Sequence, residues 1–363
     1  INPTLARIFN DEGLGLDVVS GGELAVAQSV NFPSENIYFH GNNKSVQELE
    51  QAVDYGIGRI VVDNFHEINL LNNLAKQKGV QQSILIRISP SVDPHTHSHT
   101  TTGVLDSKFG FPIETGDAEK AVKQCLSASN LNLMGLHFHL GSPIFEMEPY
   151  EQALDVVFSF AAKFKKDGLK ITDISPGGGF AIGYHMEELP PKIADYAEII
   201  STSIKKNCRL LGFEEPRLII EPGRAIIGRA GVAIYSVGAI KEIKDLRKYV
   251  SLDGGMGDNI RPALYEARYE AVVVNKMNDS PTELVTLAGK FCESGDILVK
   301  DISLPQLKSG DLIAVPASGA YNYSMASNYN LAPRPPVVML EKGRPKLIRE
   351  RESYQDMMAQ DIP

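Results

Sequence analysis

The chain has 363 residues, 43% of them hydrophobic and 22% charged, with a formal net charge of −9. That length supports one large or two ordinary domains around a sizeable core. The negative balance, spread without a long single-sign run, argues against nucleic acid as a partner, and no apolar run approaches the roughly 20 residues of a membrane span. Three widely spaced cysteines, Cys125, Cys208 and Cys292, suit neither a disulfide framework nor a metal knuckle, so a reducing cytoplasm is expected.

Over the first two-thirds, short apolar runs alternate with helical patterns. Strands are predicted at Leu16–Val19, Ile37–Phe39, Arg59–Val62, Ser83–Ile88, Leu133–Leu140, Ile171–Ser175 and Leu218–Glu221. Helices are predicted at Gly22–Ser29, Ser45–Tyr55, Asn64–Lys78, Ala118–Ser129, Tyr150–Asp167 and Lys192–Leu211. Buried parallel strands read as continuous apolar runs joined by crossover helices, and the alternation predicts an α/β chain with a (β/α)8 barrel. Polar motifs follow Leu140, Ser175 and Ile220, at strand C-terminal ends, where barrels carry their chemistry. After Arg224 the texture becomes β-rich: Val232–Ile243, Tyr249–Leu252, Arg268–Val274, Glu283–Ala288 and Asp311–Pro316 predict an antiparallel β domain. Ala320–Asn330 reads as a helix returning to the barrel. The expected domains are 1–228 and 229–363.

Six polar features punctuate this frame. In His137-Phe138-His139-Leu140-Gly141-Ser142, strand alternation puts both histidines on one side. A flat imidazole there can cover an aromatic ring, pack in the core or bind a metal, and Ser142 is a natural phosphate donor. In Pro176-Gly177-Gly178-Gly179-Phe180, three glycines allow either a tight βα turn or amide groups converging on an anion without Cβ obstruction. Glu221-Pro222-Gly223-Arg224 sets a carboxylate at a strand end and a guanidinium three residues on, as an ordinary ion pair or as partners for a ring nitrogen and a phosphate. Cys292-Glu293 sets a thiol able to donate a proton beside a carboxylate able to bind an amine, although cysteine is most often a small buried apolar residue. Arg261 and Tyr265, four apart, share a face on a helical turn and can clamp one carboxylate. The tract Asp93-Pro94-His95-Thr96-His97-Ser98-His99 reads as a mobile loop more than a metal site.

In chain order, the motifs beginning at His137, Pro176, Glu221 and Cys292, with Ala320-Tyr321 at the end, resemble the group IV pyridoxal-phosphate decarboxylases of the alanine-racemase-type fold, and among them the diaminopimelate decarboxylase family. The resemblance runs from Ile1 to about Asn330. It implies a (β/α)8 barrel plus a β domain, pyridoxal 5'-phosphate as cofactor, no metal, and a homodimer with shared active sites. It further implies His139 stacked on the cofactor ring, Ser142, Gly177, Gly178, Gly179 and Gly223 at the phosphate, and Glu221 at the pyridine nitrogen. Arg224 would serve phosphate and substrate, and Tyr321 the cofactor and substrate. Asp17 and Glu23 would form a further polar patch by the cofactor, and Cys292 would be the proton donor, contributed from the neighbouring subunit.

The stretch Asp253-Gly254-Gly255-Met256 through Arg261-Pro262-Ala263-Leu264-Tyr265 is similar to the diaminopimelate enzymes. There the resemblance implies that the arginine and tyrosine hold the distal carboxylate and Glu293 the distal amine. Glu146-Met147-Glu148-Pro149 fits the same family, whereas Pro143 departs from its usual glutamine. The implied reaction is decarboxylation of meso-diaminopimelate to L-lysine, the last step of lysine biosynthesis. Carboxynorspermidine, ornithine or carrier-bound glutamate as substrate, or a non-catalytic regulatory relative, are the alternatives. Lys44 is the first lysine and sits in the wrong context, so the cofactor-holding lysine is expected just upstream of Ile1, on the first barrel strand.

Overall fold

The computed structural model describes residues 1–93 and 105–362. The histidine tract lies, from Pro94 onward, outside them. Two compact units divide the chain: Ile1–Ala181 with Pro191–Pro222, and Ile182–Pro190 with Gly223–Pro363.

The first unit is built on parallel strands β1 (Leu16–Val18), β2 (Ile37–Phe39), β3 (Arg59–Val62), β4 (Gln82–Ser89), β6 (Leu131–His137), β7 (Asp173–Ser175) and β8 (Arg217–Leu218). They pair in that order, and β5 (Phe111–Pro112) adds beside β4. Helices α1 (Pro3–Asp11), α2 (Gly21–Ser29), α3 (Val46–Tyr55), α4 (Phe65–Lys78), α5 (Asp117–Ser127), α6 (Glu148–Ala162) and α7 (Ile193–Leu211) precede or connect the strands. This curled α/β sheet is the expected architecture. Strand alternation divides the buried side chains. Tyr38, Val61 and Leu85, with Met134 and Ile219, form one cluster. Ile37, Phe39, Ile60, Ile84 and Ile86 take the opposite face and are fully buried, as are Leu24, Leu49 and Leu71 of the helices.

The helix starts are local and legible. Ser20, Ser45 and Asn64 each accept a hydrogen bond from the backbone N–H of the glutamate three residues on, Glu23, Glu48 and Glu67. Glu23 also accepts the Val19 N–H at 2.7 Å, so it completes a helix start. Lys44 is buried and paired with Glu67 at 2.7 Å, while also donating to the carbonyls of Gly41 and Val61. A buried ammonium so committed ties the loop after β2 to α4.

At the N-terminal ends of the strands, Asp173 of β7 is 1% exposed and accepts from Arg59 of β3 (2.8 Å) and twice from Arg217 of β8 (3.0 and 3.1 Å). Arg217 also donates to the Tyr38 hydroxyl at 2.9 Å. Gly135 of β6 lies against the same residue: a Cβ there would fall 1.8 Å from the Asp173 carbonyl oxygen.

In the second unit, β9 (Ala233–Ile243), β10 (Arg247–Leu252), β11 (Val272–Val273), β12 (Glu283–Ala288), β13 (Ile297–Leu304) and β14 (Leu312–Val315) form one sheet in the order β11-β14-β9-β10-β12-β13. It is antiparallel but for the β10/β12 pair. Val250, Leu287 and Ile313 are fully buried at its core. A separate hairpin joins β15 (Val337–Glu341) to β16 (Arg344–Arg349). Short helices α8 (Gly223–Ile227), α9 (Arg261–Tyr265) and α10 (Tyr354–Met358) complete the unit.

The segment Ala320–Asn330 is not the expected helix. It holds only the 3-10 turns Tyr323–Met325 and Tyr329–Leu331, because left-handed backbone at Tyr321 (φ 61°) and Asn330 (φ 52°) breaks the helical path. Among the described residues no helix is long and apolar enough to cross a membrane.

Removing the Asp173 carboxylate leaves two arginines without their shared partner. Asp173→Ala is expected to lower unfolding free energy by about 3–5 kcal/mol. Urea titration checks this; a change under about 1 kcal/mol would show that these ion pairs do not hold the barrel base.

Candidate active site

At the opposite, C-terminal ends of the strands a second polar cluster gathers around Glu221, three residues beyond β8. Its Oε1 accepts from the hydroxyl of Ser175, the last residue of β7, at 2.8 Å. It lies 3.1 Å from His137 Nε2, at the end of β6, and 3.8 Å from His40 Nε2, just after β2. None of these contacts uses Oε2. His40 Nε2 is also 3.3 Å from Asp17 Oδ1 in β1, and the His40 and His137 rings meet edge-on at 5.0 Å.

Burial alone would push the Glu221 carboxyl up, but the neighbouring imidazoles outweigh it and hold the group well below the ordinary carboxylate range. Of these imidazoles, His137 is driven down to about 4 by burial and is neutral near pH 7. Burial also opposes charge on His40, yet Glu221 and Asp17 together raise its pKa, so His40 is the ionic partner. Asp17 is raised, by lost solvent and by the Glu221 charge, although its side chain keeps 36% of its surface open. The two carboxylates are thus pushed apart, with Glu221 the ionised one.

His139 lies two residues beyond β6. Its Nδ1 accepts the Gly178 N–H at 3.2 Å, which requires an unprotonated nitrogen there. Burial, and next the Arg87 charge, push it to about 3, so a neutral, flat imidazole is fixed at the strand ends.

The three glycines are demanded by close approach. A Cβ on Gly177 would fall 2.6 Å from His139 Nδ1, one on Gly178 2.0 Å from the Glu221 carbonyl oxygen, and one on Gly179 2.4 Å from the Gly141 carbonyl oxygen. The Gly177 amide donates to Ser175 Oγ and the Gly178 amide to His139, so two amides expected to point at an anion also brace the cluster. Ser142 is half-buried and directly follows Gly141, whose carbonyl oxygen faces Gly179, and Gly223 opens α8 with nothing within 4 Å of where a Cβ would stand.

His40 and Arg87 belong to none of the sequence motifs. His40 follows an apolar strand directly, which was the available signal. Arg87, 8% exposed in β4, lies 4.3 Å from the Phe109 ring and 3.9 Å from Asp63 Oδ2. An arginine inside a β run such as Gln82–Ser89 reads as an ordinary exposed position until the curled sheet buries it.

The second unit carries the remaining predicted residues. Arg224 and Arg261 are 7% and 6% exposed. Arg261 stands at the start of α9, as expected, but its hydroxyl partner is Tyr269, at 2.5 Å, and its guanidinium lies 4.4 Å from the Tyr184 ring. Tyr265 ends the same short helix, half-buried. Tyr321 stacks 4.6 Å from the Arg224 guanidinium. Cys292 is exposed, its amide bonded to Asn330 Oδ1 at 3.1 Å, and Glu293 accepts from the Tyr329 hydroxyl. Asp296 holds this loop: Oδ2 accepts the Phe291 amide at 2.8 Å and Oδ1 the Met256 amide at 2.7 Å. The thiol-carboxylate pair and the loop leading to Arg261 are thereby tied to one buried carboxylate. Cys125 and Cys208 are buried in α5 and α7, and burial drives Cys125 up to about 12, as for structural thiols.

An ionised buried carboxylate, a neutral flat imidazole and a steric cradle of glycines fit a phosphorylated pyridine cofactor. His40, His137 and Glu221, with ligand atoms within 4.8 Å of one another, also form a grouping of metal-ligand types. Residues 1–228 match the family described as pyridoxal-dependent decarboxylase, pyridoxal binding domain. The chain is 46% identical over 360 residues to the diaminopimelate decarboxylase of Bacillus subtilis strain 168, covering 99% of this chain and 82% of that one. The crystal structure of diaminopimelate decarboxylase from M. jannaschii with L-lysine superposes with a TM-score of 0.93 at 38% identity, covering 100% of this chain and 82% of that one. The Helicobacter pylori enzyme with L-lysine superposes at 0.89 and 32% identity, covering 99% and 86%. Fold, cluster and family match together define the class: a pyridoxal-dependent decarboxylase. Within that class the chain belongs to the diaminopimelate decarboxylase family.

His137 makes the site acid-sensitive. An unfolded histidine protonates near pH 6.5, the folded one only near 4, so between those values the unfolded chain binds more protons and stability falls as pH falls. His40, with its raised value, acts oppositely: its contribution is present below its unfolded value and lost as pH rises through the folded one. In cofactor-free protein, His137→Gln is expected to shrink the stability loss between about pH 7 and 5 by up to about 2 kcal/mol. Denaturant titrations at both pH values read this; an unchanged loss would mean that His137 is not a buried neutral imidazole.

Proposed function

We propose that this protein decarboxylates meso-2,6-diaminopimelate to L-lysine and carbon dioxide, completing lysine biosynthesis. The observation that carries the substrate choice is Arg261. A guanidinium 6% exposed and held by two tyrosines is a built anion site, attractive to a distal carboxylate and repellent to the bare amine of ornithine. Pyridoxal 5'-phosphate is the cofactor; when bound, its protonated ring accepts the electron pair released as carbon dioxide leaves.

The residues divide the remaining work. Glu221 Oε2 holds a proton on the ring nitrogen, supported through Oε1 by Ser175 and His40. His139 covers one ring face, and its neutrality avoids placing a positive charge against a protonated ring. Asp17 completes the polar patch through His40. Ser142, Gly177, Gly178, Gly179, Gly223 and Arg224 receive the phosphate. Arg261 and Tyr265 hold the distal carboxylate and Glu293 the distal amine. Arg224 and Tyr321 contact the substrate end nearest the cofactor. Cys292 Sγ delivers the proton that replaces the lost carboxylate, a general-acid contribution of typically about 10²–10⁴-fold. We assign residues 1–228 to the cofactor-binding barrel and 229–363 to the β domain. The working form is a cytoplasmic homodimer in which Cys292 serves the neighbouring subunit's site, a reading supported by its exposure and by the family's resemblance.

Cys292→Ala is expected to keep cofactor binding, read by absorbance, while kcat falls by about 10² or more. Undiminished turnover would remove the thiol from the reaction. Arg261→Ala is expected to raise KM for diaminopimelate at least roughly tenfold, since it deletes a charge-assisted contact. Steady-state kinetics equal to those of the parent would refute the carboxylate clamp.

A further inference from the structure

Tyr184 stands between two arginines. Its hydroxyl oxygen accepts from Arg224 Nη1 at 2.5 Å, and its ring face lies 4.4 Å from the Arg261 guanidinium carbon. Tyr269 closes the arrangement. Its ring meets Tyr184 edge-on at 5.3 Å, its hydroxyl oxygen accepts from Arg261 Nη1 at 2.5 Å, and its O–H donates to Asn322 Oδ1 at 3.2 Å. All five residues are less than 9% exposed.

Two guanidinium groups brought into one poorly solvated region repel one another. A tyrosine between them offers a lone pair on oxygen to Arg224 and the negative face of its ring chiefly to Arg261, at 4.4 Å against 5.7 Å for Arg224. Ring and hydroxyl are fixed to each other covalently. Either arginine therefore takes its place relative to the other through one rigid group.

We propose that Tyr184 is a positioning residue that couples the two anion-binding arginines, setting Arg224 through its hydroxyl and Arg261 through its ring face. This deepens the function proposed above and rests on its assignment of Arg224 to the phosphate and Arg261 to the distal carboxylate. Tyr184 fixes the interval between cofactor and distal carboxylate, and so the length of dicarboxylate substrate that is gripped.

The two contacts separate by substitution. Tyr184→Phe keeps the ring and removes the oxygen; Tyr184→Leu removes both. Cofactor affinity is measured by absorbance titration of cofactor-free protein, and KM and kcat are measured with diaminopimelate. The phenylalanine variant is expected to lose roughly tenfold in cofactor affinity with KM changed less than about threefold. The leucine variant is expected to lose both, with KM raised at least roughly tenfold. A role in packing alone would instead lower melting temperature without this split. Unchanged cofactor affinity in Tyr184→Phe, or equal KM changes in the two variants, overturns the proposal. If the leucine variant does not fold, the phenylalanine variant decides it: retained cofactor affinity overturns, and a selective loss supports. Arg261→Ala run alongside separates the two ideas. Unchanged KM there defeats the carboxylate assignment, whereas the Tyr184→Phe titration reports on the Arg224 arm independently.

Discussion

The site depends on one buried carboxylate that stays ionised. Glu221 is enclosed at the strand ends, where burial favours the protonated acid, yet the imidazoles of His137 and His40 hold it as the anion, and Ser175 Oγ donates to its Oε1. An ionised group in such surroundings exerts a far stronger field than one in water. That field is what a pyridine nitrogen must meet to remain protonated while its ring takes up an electron pair. The other elements of the first unit serve this constraint: β2 delivers His40, β6 His137, β7 Ser175, and the triple glycine lets the chain pass Glu221 at a distance no Cβ would allow.

Opposite ends of the same strands carry opposite uses of charge. Asp173 is matched by two arginines and tightens the barrel base. Glu221 is matched by imidazoles, one of them neutral, and its second oxygen is left outside those contacts. In the second unit the balance is reversed: Arg224 and Arg261 are held by phenols and aromatic faces.

Much of this was legible in the chain. Glycine-rich turns and serine or asparagine caps act locally, so the βα alternation and the strand-end placement of His139 and Glu221 could be read directly. Partnerships made at long sequence separation could not. Nothing near Arg261 in sequence points to Tyr184, which lies in a segment that joins the second unit from the middle of the first. The helical spacing to Tyr265 was the available pattern, whereas the hydroxyl that meets the guanidinium is four residues further on, beyond the end of α9. Ala320–Asn330 misled for the opposite reason: its composition permits a helix, and the left-handed backbone at Tyr321 prevents one. His40 was missed because a lone histidine after a strand has no motif; its meaning comes from Asp17 and Glu221 on either side.

The measurement that reaches the central claim most directly is nitrogen NMR of the holoenzyme loaded with cofactor labelled at the pyridine nitrogen. The proposed role of Glu221 predicts that the nitrogen is protonated at neutral and mildly alkaline pH and that Glu221→Gln shifts its resonance to that of the free base. A nitrogen in the same protonation state with and without the carboxylate would contradict the account.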